Sequence, residues 1–201
     1  MSEIFKSHPV GWPGAAAFVL GMLVFFATVI MARLRAGKNP KVPNAGKASI
    51  TWLWIVVQGM GIGAVGMGRV DILTTPPTPA MFARGLIVLA LMLCSVWLFD
   101  SSSRTMGRNW SLVARTRSDH SLVQTGPFAL VRHPIYVALF LFMVAMAIAY
   151  GHGRNLVVGV PLFALGTWMR IRHEERLLRA MFGAEYDAYA ARVKRFVPGI
   201  F

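Results

Sequence analysis

The chain has 201 residues, of which 56% are apolar, 11% aromatic and only 14% charged. Soluble domains carry about one quarter charged residues and break their apolar residues into short periodic segments. Here the apolar residues collect in long runs, which excludes disorder, a collagen-like repeat and a water-soluble enzyme of ordinary surface. The formal net charge of +13 comes with no nucleic-acid-binding motif; in an apolar chain it reflects anionic lipid and topology instead. The single cysteine, Cys94, supports neither a disulfide framework nor a cysteine zinc site.

About 20 apolar residues cross a bilayer as a helix, because unpaired backbone groups are too costly in hydrocarbon. In chain order the runs are Ala15 to Ala32, Ile50 to Gly68, Met81 to Phe99, Ile135 to Tyr150 and Leu156 to Met169. The first is read as a span and not a cleaved signal, since its basic cluster follows it. The last two are short and joined by Gly151-His152-Gly153-Arg154-Asn155, which predicts an antiparallel helical hairpin. The expected fold is an all-α polytopic membrane bundle of about five helices with a cytosolic amphipathic tail. Residues 1–201 form one membrane domain, with a three-helix part at 1–106 and a catalytic part at 107–201.

Lys and Arg alternate sharply between the connecting segments, 17 in one set and 4 in the other. The excess falls at Arg33, Arg35, Lys38, Lys41 and Lys47, in residues 100–134, and in residues 170–201. By the positive-inside rule the N-terminus is outside and the C-terminus cytosolic. The proline-rich stretch Thr74 to Pro79 is then an external connection, and Arg84 lies toward the outer face, away from any cytosolic site.

Gly61-Ile62-Gly63-Ala64-Val65-Gly66 spells a dinucleotide-binding pattern, but it lies inside a membrane run with no strand before it. Helix packing through Gly59 and Gly63, spaced G-x-x-x-G, explains it better.

Two segments carry chemistry. The first holds Trp110-Ser111, His120-Ser121-Leu122-Val123, Gly126-Pro127-Phe128 and Arg132-His133-Pro134-Ile135-Tyr136. Pro134 suits a first helical turn, which puts Arg132 and His133 at a helix N-terminus that attracts anions. On composition alone an interfacial anchor is the simpler reading. The second segment leaves the fifth run with Arg170, Glu174 and Glu175, then Phe182-Gly183-Ala184-Glu185-Tyr186-Asp187-Ala188-Tyr189 and Arg195-Phe196-Val197-Pro198. Arg170 and Glu174 share one helix face at i, i+4, as do Ile171 and Glu175. By spacing alone a solvated amphipathic helix accounts for this.

Together, and in order, these pieces resemble the isoprenylcysteine carboxyl methyltransferase family of membrane enzymes. The pattern is W-S, H-x-L-V, G-P-[YF], R-H-P-x-Y, a helical hairpin, E-E-x-x-L, F-G-x-x-Y-x-x-Y and R-x-x-P, from Gly107 to Pro198. The resemblance implies S-adenosylmethionine as methyl donor, in a pocket formed by the fourth and fifth helices and the tail. It implies cofactor contacts from Arg132, His133, Pro134 and Tyr136, and a carboxylate of the Glu174–Glu175 pair for the cofactor's ammonium group. Glu174 is favoured, because Arg170 shares its face and matches the family's active-site arginine; these two are the expected catalytic residues. Phe128 stands where many members carry tyrosine.

The acceptor so implied is a lipophilic molecule or lipidated cysteine bearing a carboxylate, reached from membrane lipid, with no metal and no nucleic acid. A carboxylate of pKa about 3.3–3.7 is ionised at neutral pH, so its methylation requires positioning and exclusion of water, with no base. The competing readings are a phospholipid or thiol methyltransferase, in which an amine would need a base such as His173, an NADPH-dependent sterol-reductase-like enzyme, and a non-enzymatic transporter or assembly factor.

Overall fold

The computed structural model describes residues 8–36, 48–107, 110 and 121–199, without the side chains of 48–51. Lys38, Lys41 and Lys47, and the motif residues Ser111 and His120, lie outside the described residues. Among the described residues the fold is helical apart from one pair of two-residue strands and one isolated bridge. Its helices are α1 (Trp12–Ala36), α2 (Ala48–Gly66), α3 (Pro79–Met106), α4 (Pro134–Tyr150), α5 (Leu156–Phe182) and α6 (Ala184–Arg192).

Each predicted apolar run lies within a helix or within two residues of one. α1 and α3 are each long and apolar enough to cross a bilayer, while Trp52–Gly66 and α4 are shorter apolar helices. Leu20, Leu23, Val24, Phe26, Ile30 and Leu34 of α1 and Leu86, Ile87, Leu93 and Trp97 of α3 are exposed. Contiguous apolar surface on this scale belongs against lipid: this is an integral membrane protein. The fifth run and the tail that follows it are one helix, since no breaker falls between Met169 and Phe182. The turn comes at Gly183, whose φ of +49° favours glycine.

The helices pack in two groups. α3 lies between α1 and α4, and α2 runs along α5. The first group is filled by rings: Phe25 lies 5.0 Å from Phe99 and 5.1 Å from Phe142, centroid to centroid, with Met92 and Met143 wholly buried between the helices. The second is made by backbone approach. A Cβ on Gly61 would sit 2.5 Å from the Phe163 nitrogen, and one on Gly166 2.6 Å from the Gln58 nitrogen. Gly59 and Gly63 meet nothing within 4 Å. The expected G-x-x-x-G contact is therefore corrected: two residues along a helix turn it through about 200°, so Gly61 faces α5 and its neighbours at 59 and 63 face away.

The hairpin is corrected in the same way. The short link does reverse the chain between α4 and α5, but the two helices hardly touch. α5 is drawn onto α2 by the glycine crossings and α4 onto α3, so the pair splays apart. At the link, Asn155 donates to the carbonyls of Ala64 (3.2 Å) and Met67 (2.8 Å), and buried His152 has ring nitrogens 3.1 and 3.2 Å from the carbonyls of Val65 and Arg69. These contacts fall on carbonyls in and just beyond the last turn of α2, where intrahelical donors run out. At the same end β1 (Val10–Gly11) pairs in parallel with β2 (Ile72–Leu73), a feature too short for any sequence periodicity to reveal. The proline-rich connection ends as the cap of α3, where the Thr78 hydroxyl accepts from the Met81 amide and Pro79 opens the helix.

Candidate active site

Between the splayed α4 and α5 lies a cavity of about 620 Å³, closed on a third side by the tail. Tyr136 and Phe140 line it from α4, Thr167 and Trp168 from α5, and Phe196 and Val197 from the tail. This wall is almost entirely apolar, as a site for a lipophilic group requires.

The loop before α4 and the tail are joined through the backbone. Val131 and Lys194 form a parallel bridge, the Arg132 amide donates to the Lys194 carbonyl at 2.7 Å, and the His133 amide donates to that of Arg195 at 3.1 Å. Side chains complete the junction. Arg132 donates to the Ala190 carbonyl at 2.9 Å and to that of Val193, and to Glu175 Oε1 at 3.0 Å. Arg195 reaches both oxygens of Glu175, at 3.0 and 2.8 Å, and His133 Nε2 lies 3.2 Å from Oε1. Burial alone would raise the Glu175 carboxyl, but hydrogen bonds from His133, Arg195 and Arg132 outweigh it and hold the group far below the usual carboxylate range.

Glu174, one position earlier, points elsewhere. It accepts a hydrogen bond from the Tyr136 hydroxyl, its side chain is 24% exposed against 3% for Glu175, and His133 Nδ1 lies 3.8 Å from it. Arg170, one turn back, comes within 4.0 Å of the same carboxylate and stands 5.1 Å over the Tyr136 ring. Successive helix positions diverge by about 100°, which separates a saturated carboxylate from an accessible one. The solvated-helix reading of the tail does not survive, since Glu175 and Ile171 are both buried.

Of the residues singled out by sequence, the structure gathers His133, Tyr136, Arg170 and Glu174 beside the cavity. Arg132 and Glu175 turn their polar atoms into the tail junction, and Pro134 is a buried first-turn residue of α4. Arg84 is exposed near the start of α3, at the far end. Phe128 takes part through its backbone, its carbonyl accepting from the Tyr189 hydroxyl at 2.7 Å; burial pushes the Tyr186 and Tyr189 phenols up to about 12. Two polar side chains here had no assigned role. Arg195 was signalled by the R-x-x-P match, whereas Gln58, 2.7 Å from Arg170, had no signal beyond being polar in an apolar run.

Known proteins resemble this chain in sequence and in fold. The family model described as phospholipid methyltransferase matches residues 83–185, which run from α3 through the first residues of α6. The chain belongs to the phospholipid methyltransferase family, and the relatives it matches include the isoprenylcysteine methyltransferases its motifs resemble. The protein-S-isoprenylcysteine O-methyltransferase of Schizosaccharomyces pombe is 33% identical over 116 residues, 55% of this chain and 48% of that one. The nickel-cobalt-cadmium resistance protein NccN of Alcaligenes xylosoxydans xylosoxydans is 35% identical over 112 residues, 55% of this chain and 52% of that one. The alignments thus span about half the length of these relatives. The solved structure of a eukaryotic intramembrane Ras methyltransferase, an isoprenylcysteine carboxyl methyltransferase, superposes with a TM-score of 0.55 over 94% of this chain and 68% of that one, at 21% identity. It shares the fold.

Proposed function

We propose that this protein transfers a methyl group from S-adenosylmethionine to the carboxylate of a lipophilic, isoprenylcysteine-like acceptor at the cytosolic face of the membrane. The observation that carries the reading is the division between the two glutamates: Glu175 is consumed by the tail junction, while Glu174 stays accessible, oriented by Tyr136, one side chain from the cavity wall. An accessible, ready-oriented carboxylate beside aromatic surface fits a donor that carries an ammonium group, a sulfonium and a purine. Glu174 would take the ammonium group, with His133 and Tyr136 beside it and the rings of Trp168 and Phe196 along the cavity.

When bound, S-adenosylmethionine supplies the electrophilic methyl carbon. The chain's own work is placement. Arg170 carries a permanent positive charge and cannot take a proton, so it suits holding a carboxylate by charge-assisted hydrogen bonds. The apolar wall admits the lipid part of the acceptor from the bilayer and excludes water from the reacting groups. In this reading residues 107–201 carry the chemistry, residues 1–106 support them, and five helices cross with the C-terminus in the cytosol.

The matched family's description favours one second reading, a phospholipid amine as acceptor. It needs a proton acceptor, for which His173 beside Glu174 is the candidate. Transfer of a radiolabelled methyl group to N-acetyl-S-farnesylcysteine or to phosphatidylethanolamine separates the two. The proposal predicts label in the first as an alkali-labile ester; alkali-stable label in the second alone would replace it.

A further inference from the structure

α2 lies outside every motif that points to methyl transfer, yet it sends one polar side chain into the site. Gln58 sits within the apolar helix α2 and is 3% exposed. A polar group buried among apolar helices is costly and is retained where it has partners. Both ends of this amide have one. Nε2 donates to Thr167 Oγ1 at 2.6 Å, and Oε1 accepts from Arg170 Nη1 at 2.7 Å. Chemistry dictates this orientation: a guanidinium only donates, so the amide oxygen must face Arg170 and the amide nitrogen must face Thr167.

The approach of backbones makes the reach possible. Gly166 lets α5 lie against α2 at this level, where a Cβ would fall 2.6 Å from the Gln58 nitrogen. Thr167 and Arg170, three residues apart, then present the same face of α5 to Gln58. The guanidinium is thereby bounded by the amide, by the Tyr136 ring at 5.1 Å and by Glu174 at 4.0 Å.

We propose that Gln58 is a positioning residue of the acceptor site, fixing the plane of the Arg170 guanidinium without adding a second negative charge to that of Glu174. The proposal rests on the reading of Arg170 as the acceptor's anchor. A neutral amide is the right group for the task. A carboxylate at 58 would hold the guanidinium equally well but would compete with the acceptor's own carboxylate for its charge.

The test compares Gln58→Met, Gln58→Glu and Arg170→Lys in detergent micelles, by two readouts. The first is the side-chain NMR signal of the Arg170 guanidinium, assigned by its loss in Arg170→Lys. Slow rotation is expected in the wild type and in Gln58→Glu, and averaging by free rotation in Gln58→Met. Unchanged rotation in Gln58→Met overturns the inference. The second is methyl transfer to N-acetyl-S-farnesylcysteine. Both Gln58 variants should raise the acceptor KM about tenfold, the scale of one hydrogen bond to a charged group, with the Kd for S-adenosylmethionine unchanged. If Arg170→Lys raises this KM and the Gln58 variants do not, the inference about Gln58 fails and the reading of Arg170 stands. If Arg170→Lys has no effect on it, the anchor reading falls and the role of Gln58 with it. If wild type leaves the farnesylcysteine unmethylated, the isoprenylcysteine reading fails, and the Arg170 signal still decides whether Gln58 orders the guanidinium. Should Gln58→Met not fold, Gln58→Glu carries the kinetic test alone, and an unchanged acceptor KM there overturns the proposal.

Discussion

Arg195 holds both carboxylate oxygens of Glu175, at 3.0 and 2.8 Å, and through that contact the tail beyond α6 is tied to α5. Arg132 and His133 meet Oε1 of the same carboxylate. One buried anion thus gathers three elements far apart in sequence, and the tail it retains supplies Phe196 and Val197 to the cavity wall.

Glu175→Gln keeps the shape and removes the charge. Loss of a buried ion-paired partner costs about 3 kcal/mol, the low end of the range, because Arg195 remains 28% exposed. The thermal midpoint in detergent at neutral pH should fall accordingly. The pH dependence has a definite sign: a carboxyl whose pKa is lowered by folding contributes fully above its ordinary value of 4.5, and the contribution is lost as pH falls below it. The gap between wild type and variant should therefore be constant from pH 8 to pH 6 and narrow below about pH 4.5, followed as thermal midpoints across the series.

Tyr136→Phe removes the hydroxyl that orients Glu174 and leaves the ring under Arg170. Affinity for S-adenosylmethionine should drop about tenfold, the effect of one hydrogen bond to a charged group, with little change in thermal midpoint. Equal affinity in titration calorimetry would mean that Glu174 needs no orientation from α4.

The glycine crossings make a contrast within one helix pair. Gly166→Ala forces a methyl against the backbone of α2, and overpacking of this kind costs about 1–3 kcal/mol. Gly59→Ala and Gly63→Ala meet open space and should be neutral or slightly stabilising, since alanine favours helix. Thermal midpoints of the three variants test which glycines join α2 to α5.

The orientation rests on charge bias alone. In a Cys94→Ser background, Ala45→Cys should react with an impermeant maleimide only from the cytosolic side and Thr75→Cys only from outside. Ala45 lies outside the described residues, whereas Thr75 is exposed in the connection before α3. The reverse pattern would invert the topology and move Glu174 to the outer face.

Long apolar runs made the helices legible, because length and hydropathy are local properties of the chain. The site was legible in part for a different reason: Arg132 through Tyr136 and Arg170 through Glu175 are compact motifs. What stayed hidden depends on where elements go after they form. The splay of α4 from α5 follows from α5 pairing with α2, and the choice of Gly61 over Gly59 follows from which side of α2 meets it. Gln58 is one polar residue in a run of mostly apolar ones, and only the crossing at Gly166 reveals that it faces Arg170. The same holds for Glu174 and Glu175, which are adjacent in sequence and separated in role by one hundred degrees of helix.

The most direct measurement is titration calorimetry of S-adenosylmethionine on the detergent-purified protein, with NADPH alongside and with Glu174→Ala in parallel. The account predicts binding of the methyl donor by wild type, its loss in Glu174→Ala, and no binding of NADPH. Undiminished donor binding by Glu174→Ala would remove Glu174 from the cofactor site, and binding of NADPH in place of the donor would contradict the methyltransferase reading itself.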